Sequence, residues 1–168
     1  MAISMYQVSV PLFLKTLGNL SAILDKGAAF AAEKKIEPSV LLGYRLAPDM
    51  LNLTSQVQNV ADHAKRAVAR LAGIEAPVYE DKETSFADLK ARIDKTVAFI
   101  NTVKPAQIDG SETREIKMKA GGTDRTFTGQ AYLLHHALPN FFFHTTTAYA
   151  ILRHCGVNIG KRDFIGQL

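Results

Sequence analysis

The sequence predicts an all-α fold, a four-helix bundle that carries one small β-hairpin. Three observations support this prediction. Long stretches of the chain space their apolar residues three or four positions apart, so that these side chains share one face of a helix. Proline or glycine stands near the ends of most of these stretches, where helices begin or stop. One short segment instead alternates apolar and polar residues around a pair of glycines, which is typical of a hairpin.

A single domain is expected over residues 1–168. Hydrophobic residues make up 47% of the chain and charged residues 21%, which is an ordinary globular composition. A chain of this length can bury one self-supporting hydrophobic core. No internal repeat, low-complexity segment or shift in composition divides it.

The first helix is predicted to begin near Ser4 or Ser9 and to end near Ala32. Pro11 then either occupies the first turn, where its missing N–H costs nothing, or bends a helix that begins earlier. The next segment, residues 33–48, holds too many helix breakers for a long helix. It is expected to pack over one end of the bundle through Leu41, Leu42, Tyr44 and Leu46.

The second helix is predicted from Asp49 to about Leu71, with Gly73 as its left-handed cap. Its apolar residues recur at intervals of three and four, as a core-facing helix requires. A polar stripe runs beside this apolar face and either lines a cavity or marks the solvent boundary. The stripe consists of Asn52, Gln56, Asn59 and His63.

A long crossover, residues 74–84, leads to a third helix predicted from Ser85 to Val103. Ser85 and Asp88 resemble a capping box with Asp in place of Glu. Acidic residues before a helix are favoured by its dipole. The acidic cluster of the crossover is therefore interpreted as helix capping, with acid–base chemistry as the alternative; it consists of Glu80, Asp81 and Glu83.

Residues 115–127 are predicted to form the hairpin, with a glycine pair in its turn. The fourth helix is predicted from Thr128 to Cys155, with Gly156 as its left-handed cap. Pro139 lies inside this helix and is expected to kink it, because its ring removes a backbone hydrogen bond. Such a kink would open a cavity at the middle of the bundle.

The best candidate site residues lie on the fourth helix. His136, Asn140 and His144 follow one another at i, i+4 and i+8, so they form one polar stripe on an otherwise apolar helix. Two imidazoles and an amide on one stripe are suited to face a pocket.

Charge and composition exclude several classes of partner. The net charge is +4, but the basic residues are scattered among acids without a recognition module, so nucleic-acid binding is not expected. No apolar run approaches the roughly 18 residues that a membrane span needs, and the N-terminus has no secretory pattern. The single cysteine, Cys155, can form no internal disulfide. No membrane association and a cytoplasmic location are expected.

Six strings spread over the whole chain carry a resemblance to a known family. They are RLAPDM at 45–50, ARLAG at 69–73, DGSE at 109–112, PNFFFH at 139–144, TAYAILR at 147–153 and GKRDF at 160–164. Together with the long crossover between helices two and three, they resemble the DinB/YfiT-like superfamily, a group of proposed metalloenzymes with a four-helix bundle. Within that group the chain resembles an uncharacterised bacterial subfamily, a domain of unknown function.

The resemblance implies a metal site. Superfamily members that bind a divalent metal use one His on helix two and a His-x-x-x-His pair on helix four. His144 matches the second His of that pair, Asn140 stands at the first, and His63 lies near the helix-two position. Zinc or nickel is the implied cofactor, bound weakly because an amide oxygen is a poorer ligand for these ions than an imidazole. The surrounding pocket is expected to be lined by Gln56, Asn59 and His136.

Two functions are compatible with these residues. The first is a small-molecule-binding protein with a mid-bundle His/Asn pocket and at most a weak or degenerate metal site. The second is a divalent-metal-dependent hydrolase or thiol or group transferase, which uses His63 and His144 as ligands. A homodimer is expected in either case, because the hairpin and the aromatic fourth helix offer apolar surface to cover.

Overall fold

The structure is a computed structural model that describes residues 3–167. Helices make up most of it, and two antiparallel strands form one small sheet. This confirms the predicted helical class with a small hairpin. The elements in chain order are α1 (Val10–Lys34), α2 (Pro38–Leu42), α3 (Leu53–Ala72), α4 (Phe86–Thr102), α5 (Pro105–Ile108), β1 (Glu115–Ala120), β2 (Thr123–Thr128), α6 (Gly129–Tyr132), α7 (Leu138–His154) and α8 (Lys161–Ile165). A π-helical turn, Leu133–Ala137, separates α6 from α7.

The hydrophobic core lies between the four longest helices. α3 packs against α4 and α7, while α1 packs against α4 and α8 and also contacts α3 and α7. Burying a large aliphatic side chain contributes roughly 1.5–3 kcal/mol, so these faces supply most of the stabilisation. The helices within the described range include none with the length and hydropathy of a membrane span. The apolar face predicted for α3 is buried throughout, through Leu53, Val57, Val60, Ala64, Ala67, Val68 and Leu71.

α1 begins at Val10, which places Pro11 in its first turn. This is one of the two predicted positions, and it suits a proline because N–H groups of the first turn have no partner within the helix. The alternative start near Ser4 is wrong. The segment after α1 packs only in part, because Tyr44 and Leu46 are exposed by 36% and 42%, although Leu41 and Leu42 are buried.

α3 begins at Leu53 and not at Asp49. Asn52 caps it, since its side-chain oxygen accepts a hydrogen bond from the Ser55 N–H at 2.9 Å. Asn52 is therefore a capping residue and not a member of the polar stripe. The other end is as predicted, because Gly73 has a φ of 70°, a left-handed conformation that glycine adopts without steric cost.

α4 begins with the predicted capping box, in which Ser85 and Asp88 exchange hydrogen bonds. The acidic cluster before it does not cap the helix. Asp81 and Glu83 instead each pair with the guanidinium of Arg92 at 2.9 Å, and Arg92 is only 1% exposed. A buried guanidinium needs carboxylate partners to offset its lost hydration. These acids therefore attach the crossover to α4.

The two strands form the predicted hairpin. Ile116 lies opposite Phe127, and Met118 lies opposite Arg125. Directly opposed residues of an antiparallel pair share one face of the sheet. Ile116 is buried, so this face packs on the helices, as an isolated pair of strands requires for stability.

The predicted fourth helix is present as one helical run, residues 129–154, with a π-helical turn inside it. In the π-turn the Leu138 N–H bonds to the carbonyl of Leu133, five residues back. Pro139 follows at once, in the first turn of α7. A proline requires the carbonyl four residues back to be displaced, and the wider π-turn provides that displacement. α7 then ends at the predicted left-handed cap, Gly156, with a φ of 97°.

Candidate functional site

Three histidines from different parts of the chain lie side by side. His63 is on α3, His136 is in the π-turn and His144 is on α7. The ring centroids of His63 and His144 are 5.4 Å apart with their planes at 17°, and those of His63 and His136 are 6.1 Å apart. All three rings are half-buried. We term these three rings the imidazole cluster.

Two of the three positions of the stripe on the fourth helix, His136 and His144, lie against His63. His136 and His144 are eight residues apart, about two helical turns, so both can face α3. Asn140 lies between them, but its amide nitrogen donates a hydrogen bond to the His136 carbonyl at 2.7 Å. The structure thus brings both histidines to His63 and ties the asparagine to its own helix.

Gln56 and Asn59 of α3 behave differently from each other. The Gln56 oxygen Oε1 lies 2.7 Å from Nδ1 of His144, and the Gln56 nitrogen Nε2 donates to the Leu51 carbonyl at 3.1 Å. Gln56 is 1% exposed. Asn59 donates instead to the Ser55 carbonyl on its own helix, at 2.9 Å. Gln56 therefore supports the cluster directly, whereas the amide nitrogen of Asn59 is bonded to the backbone.

Burial and neighbouring charges keep the imidazole cluster uncharged at neutral pH. Burial, followed by the rings of His144 and His136 and by Arg66, lowers the pKa of His63 from 6.5 to about 4. Burial also lowers the pKa of His144. Burial and two nearby arginines lower the pKa of His136. Neutral imidazoles present nitrogen lone pairs, which accept hydrogen bonds or ligate metals.

Aromatic side chains that the sequence prediction did not include flank the cluster. The ring centroids of Tyr132 and Phe127 lie 5.6 Å and 5.9 Å from that of His136, and Phe143 lies 5.3 Å from His144. Tyr132 precedes His136 by four residues, so helical spacing could have indicated it. No sequence signal indicates Phe127, because it reaches the helix from the hairpin.

Comparison with known proteins identifies the family. A family model described as "Domain of unknown function (DUF1993)" matches residues 5–165. The chain belongs to this family. It is also similar to the crystal structure, at 1.83 Å resolution, of a DinB family member protein from Shewanella denitrificans, with 42% sequence identity and a TM-score of 0.88. That match covers 97% of this chain and 92% of the other. No curated protein matches the chain.

These matches confirm the prediction of an uncharacterised DinB-like family for this DUF1993 chain. The chemistry of its donor set is a poor fit to a tightly bound zinc or nickel ion. Within residues 3–167, no three side chains among His, Cys, Asp and Glu are grouped so that they could hold one metal ion. The third position carries Asn140, whose carbonyl oxygen suits harder ions than zinc.

Four surface cavities of the DUF1993 chain lie away from the cluster. The two larger ones measure about 550 Å³, beside the crossover and α4, and about 1090 Å³, between α1 and α8. The two smaller ones measure about 180 Å³ each. None of these four cavities is lined by His63, His136 or His144.

Proposed function

We propose that this DUF1993 protein binds a small molecule at the imidazole cluster, within a four-helix bundle of DinB-like type formed by α1, α3, α4 and α7. The observation that carries the proposal is the meeting of three neutral, half-buried imidazoles from separate segments. Bringing such groups together costs free energy, because each loses hydration and their protonated forms repel one another. A binding role accounts for this arrangement.

The support around His144 agrees with a binding role. Gln56 is held by the Leu51 carbonyl on one side and contacts His144 on the other. A ring that is fixed by a buried partner keeps its second nitrogen oriented for a ligand. Phe127 and Tyr132, the two rings against His136, add apolar contact area for the same small molecule.

The second candidate is a divalent-metal-dependent hydrolase or group transferase that uses His63 and His144 as ligands. Its supporting observation is the contact between Nδ1 of His144 and Gln56, which leaves Nε2 of His144 for another partner. Metal-ligating histidines commonly donate their other ring N–H in this way. The donor set favours a weak site, so we rank this function below metal-independent binding.

Nuclear magnetic resonance of the histidine rings tests the first function. The chain has five histidines, and His135 and His154 are exposed outside the cluster, so they serve as internal controls. In a screen of a fragment library we expect compounds that shift the ring signals of His63, His136 and His144 and leave the two controls unchanged. The proposal is abandoned if no compound at millimolar concentration moves the three cluster rings selectively.

Elemental analysis separates the two functions. Protein purified without an affinity tag is supplemented with zinc, nickel or manganese, dialysed and analysed beside His144→Ala. The first function predicts less than 0.1 equivalent of metal in both proteins, in keeping with roughly micromolar or weaker affinity. Near-stoichiometric metal in the parent that is lost in His144→Ala would establish the second function instead. His135→Ala is the matched control for a histidine outside the cluster.

We also propose that the chain forms a homodimer through exposed apolar residues of the π-turn and α7. Leu134 and Phe143 support this, since they are 44% and 56% exposed. Sedimentation velocity is expected to give a dimer that Phe143→Ser weakens. A monomer at tens of micromolar would count against the proposal. Val78→Ser is the control, because Val78 is also an exposed apolar residue but lies on the crossover and not on α7.

A further inference from the structure

Two guanidinium groups are associated with the aromatic rings that contact His136. Arg70 of α3 donates a hydrogen bond from Nη1 to the Tyr132 hydroxyl at 2.9 Å, and its Cζ is 5.5 Å from the centroid of the Tyr132 ring. That ring lies against His136. The second guanidinium belongs to Arg125 of β2, two residues before Phe127, and the Phe127 ring also lies against His136.

The register of the hairpin explains why Arg125 is near the cluster. Arg125 and Phe127 are two residues apart on β2, so their side chains share one face of the sheet. Phe127 contacts both Tyr132 and His136, so this is the face that packs on the helices. Arg125 is exposed, so its guanidinium lies at the solvent edge of this face.

Neither positive charge is neutralised by a neighbouring acid. The ion pairs formed among the described residues involve neither Arg70 nor Arg125. The acid next to the cluster in sequence, Asp62, is engaged elsewhere. It forms ion pairs at 2.7 to 2.9 Å with Lys65, Arg66 and Arg92. Because the imidazoles are neutral, the two guanidiniums give this end of the cluster a net positive charge.

We propose that the ligand of the imidazole cluster is an organic anion. Its carboxylate or phosphate group lies between Arg70 and Arg125, and its apolar part lies against Phe127 and the His136 ring. Guanidinium groups recognise both oxyanions through paired, charge-assisted hydrogen bonds, and this shared geometry defines the ligand class. The inference rests on the proposed binding function and names the class of molecule that this site takes.

The test compares charged and neutral probes of the same shape. Benzoate and phenyl phosphate are titrated into the full chain, with benzamide as the neutral analogue, and the histidine ring signals are followed. We expect saturable shifts of the His136 signals with the two anions, and at least tenfold weaker binding of benzamide. The relative affinities of benzoate and phenyl phosphate distinguish a carboxylate ligand from a phosphate ligand.

Charge-removing variants test the role of the guanidinium. Arg125→Gln changes an exposed side chain on the helix-facing side of the hairpin and is expected to weaken benzoate binding at least fivefold. Lys117→Gln is the matched control, because Lys117 lies on the other face of the same hairpin and pairs with Glu115. Equal loss in both variants would indicate a general charge effect and overturn the proposal.

The outcomes also separate this inference from the proposed function. If benzamide binds at the three rings as tightly as benzoate, or if Arg125→Gln binds benzoate normally, the anion inference fails while small-molecule binding stands. If the anions shift only signals away from the imidazole cluster, the inference fails as well. If neither these probes nor the fragment library moves the three rings, the proposed function itself fails.

Discussion

Gln56 fixes the tautomer of His144. The Leu51 carbonyl can only accept a hydrogen bond, so the nitrogen of the Gln56 amide must face Leu51 and its oxygen must face His144. An amide oxygen can only accept, so Nδ1 of His144 carries the proton in this pair. The lone pair of the neutral ring is then on Nε2, the nitrogen available to a ligand.

Replacing Gln56 by leucine, which has a similar size and no amide, is expected to release this tautomer. The ring N–H of His144 and the Leu51 carbonyl lose their partner, and the free energy of unfolding should fall by about 1–3 kcal/mol. Ring ¹⁵N shifts should change from one tautomer to a mixture. Asn59→Ala, on the same helix but bonded only to its own backbone, should leave the tautomer unchanged. A single Nδ1–H tautomer in Gln56→Leu would contradict this assignment.

The stability of the protein should decrease in mildly acidic solution. The pKa of His63 is about 4 in the folded protein, below its ordinary value of 6.5, so the unfolded chain binds a proton first as the pH falls. The stabilisation is complete above pH 6.5 and is lost as the pH falls towards 4, by roughly 2–3 kcal/mol for this residue. The lowered pKa values of His136 and His144 act in the same direction.

Urea unfolding at several pH values between 7 and 4 measures this loss. His63→Asn should flatten the dependence, whereas His135→Asn, which changes an exposed histidine, should not. The pKa of Asp62 is lowered from 3.8, so its effect on stability falls mainly below pH 4 and outside this range. A stability that does not change between pH 7 and 4 would refute the prediction.

The buried Arg92 should be essential for the stability of the crossover. Arg92→Met removes one of the three cations paired with Asp62 and the cation paired with Asp81 and Glu83, which leaves the mostly buried Glu83 carboxylate without its cation. The expected loss is about 3–5 kcal/mol in the free energy of unfolding. Lys90→Met is the matched control on the same helix, because its ion pair with Asp25 is at the surface and should contribute less than about 1 kcal/mol. Similar losses in the two variants would show that burial does not decide the effect.

Gly129 is expected to tolerate no side chain. A Cβ atom at this position would lie 2.0 Å from the backbone oxygen of Ser111, and backbone cannot rotate away as a side chain could. Gly129→Ala should therefore destabilise the protein by at least about 2 kcal/mol. Gly18→Ala, in the exposed part of α1 with no atom within 4 Å, should instead stabilise it by about 0.5–1 kcal/mol. Thermal unfolding of both variants measures these opposite effects.

Local chemistry made several helix ends predictable. The Ser85 and Asp88 capping box and the left-handed glycines at 73 and 156 depend on residues within a few positions of one another. The predicted start of α3 was wrong because a contact with a residue outside the local signal decided it. Asp49 after a proline is a strong local start signal, but the Tyr44 carbonyl accepts the Leu53 N–H and holds this segment as a loop.

The partners of the acidic crossover were not predictable from local chemistry. Asp81 and Glu83 precede a helix, a position that favours capping, yet they pair with Arg92. The π-turn before Pro139 likewise was not predicted. In both places the arrangement depends on the contacts of a side chain or ring within the folded chain.

The spacing of apolar and polar residues was enough to predict the helical class, the hairpin and the histidines that share a helical stripe, because spacing sets which face of an element each side chain occupies. The contacts of His63 with His144, of Gln56 with His144 and of Phe127 with His136 were not predictable in this way. They join residues of different elements, so they depend on the packing of α3 against α7 and of the hairpin against the helix that follows it.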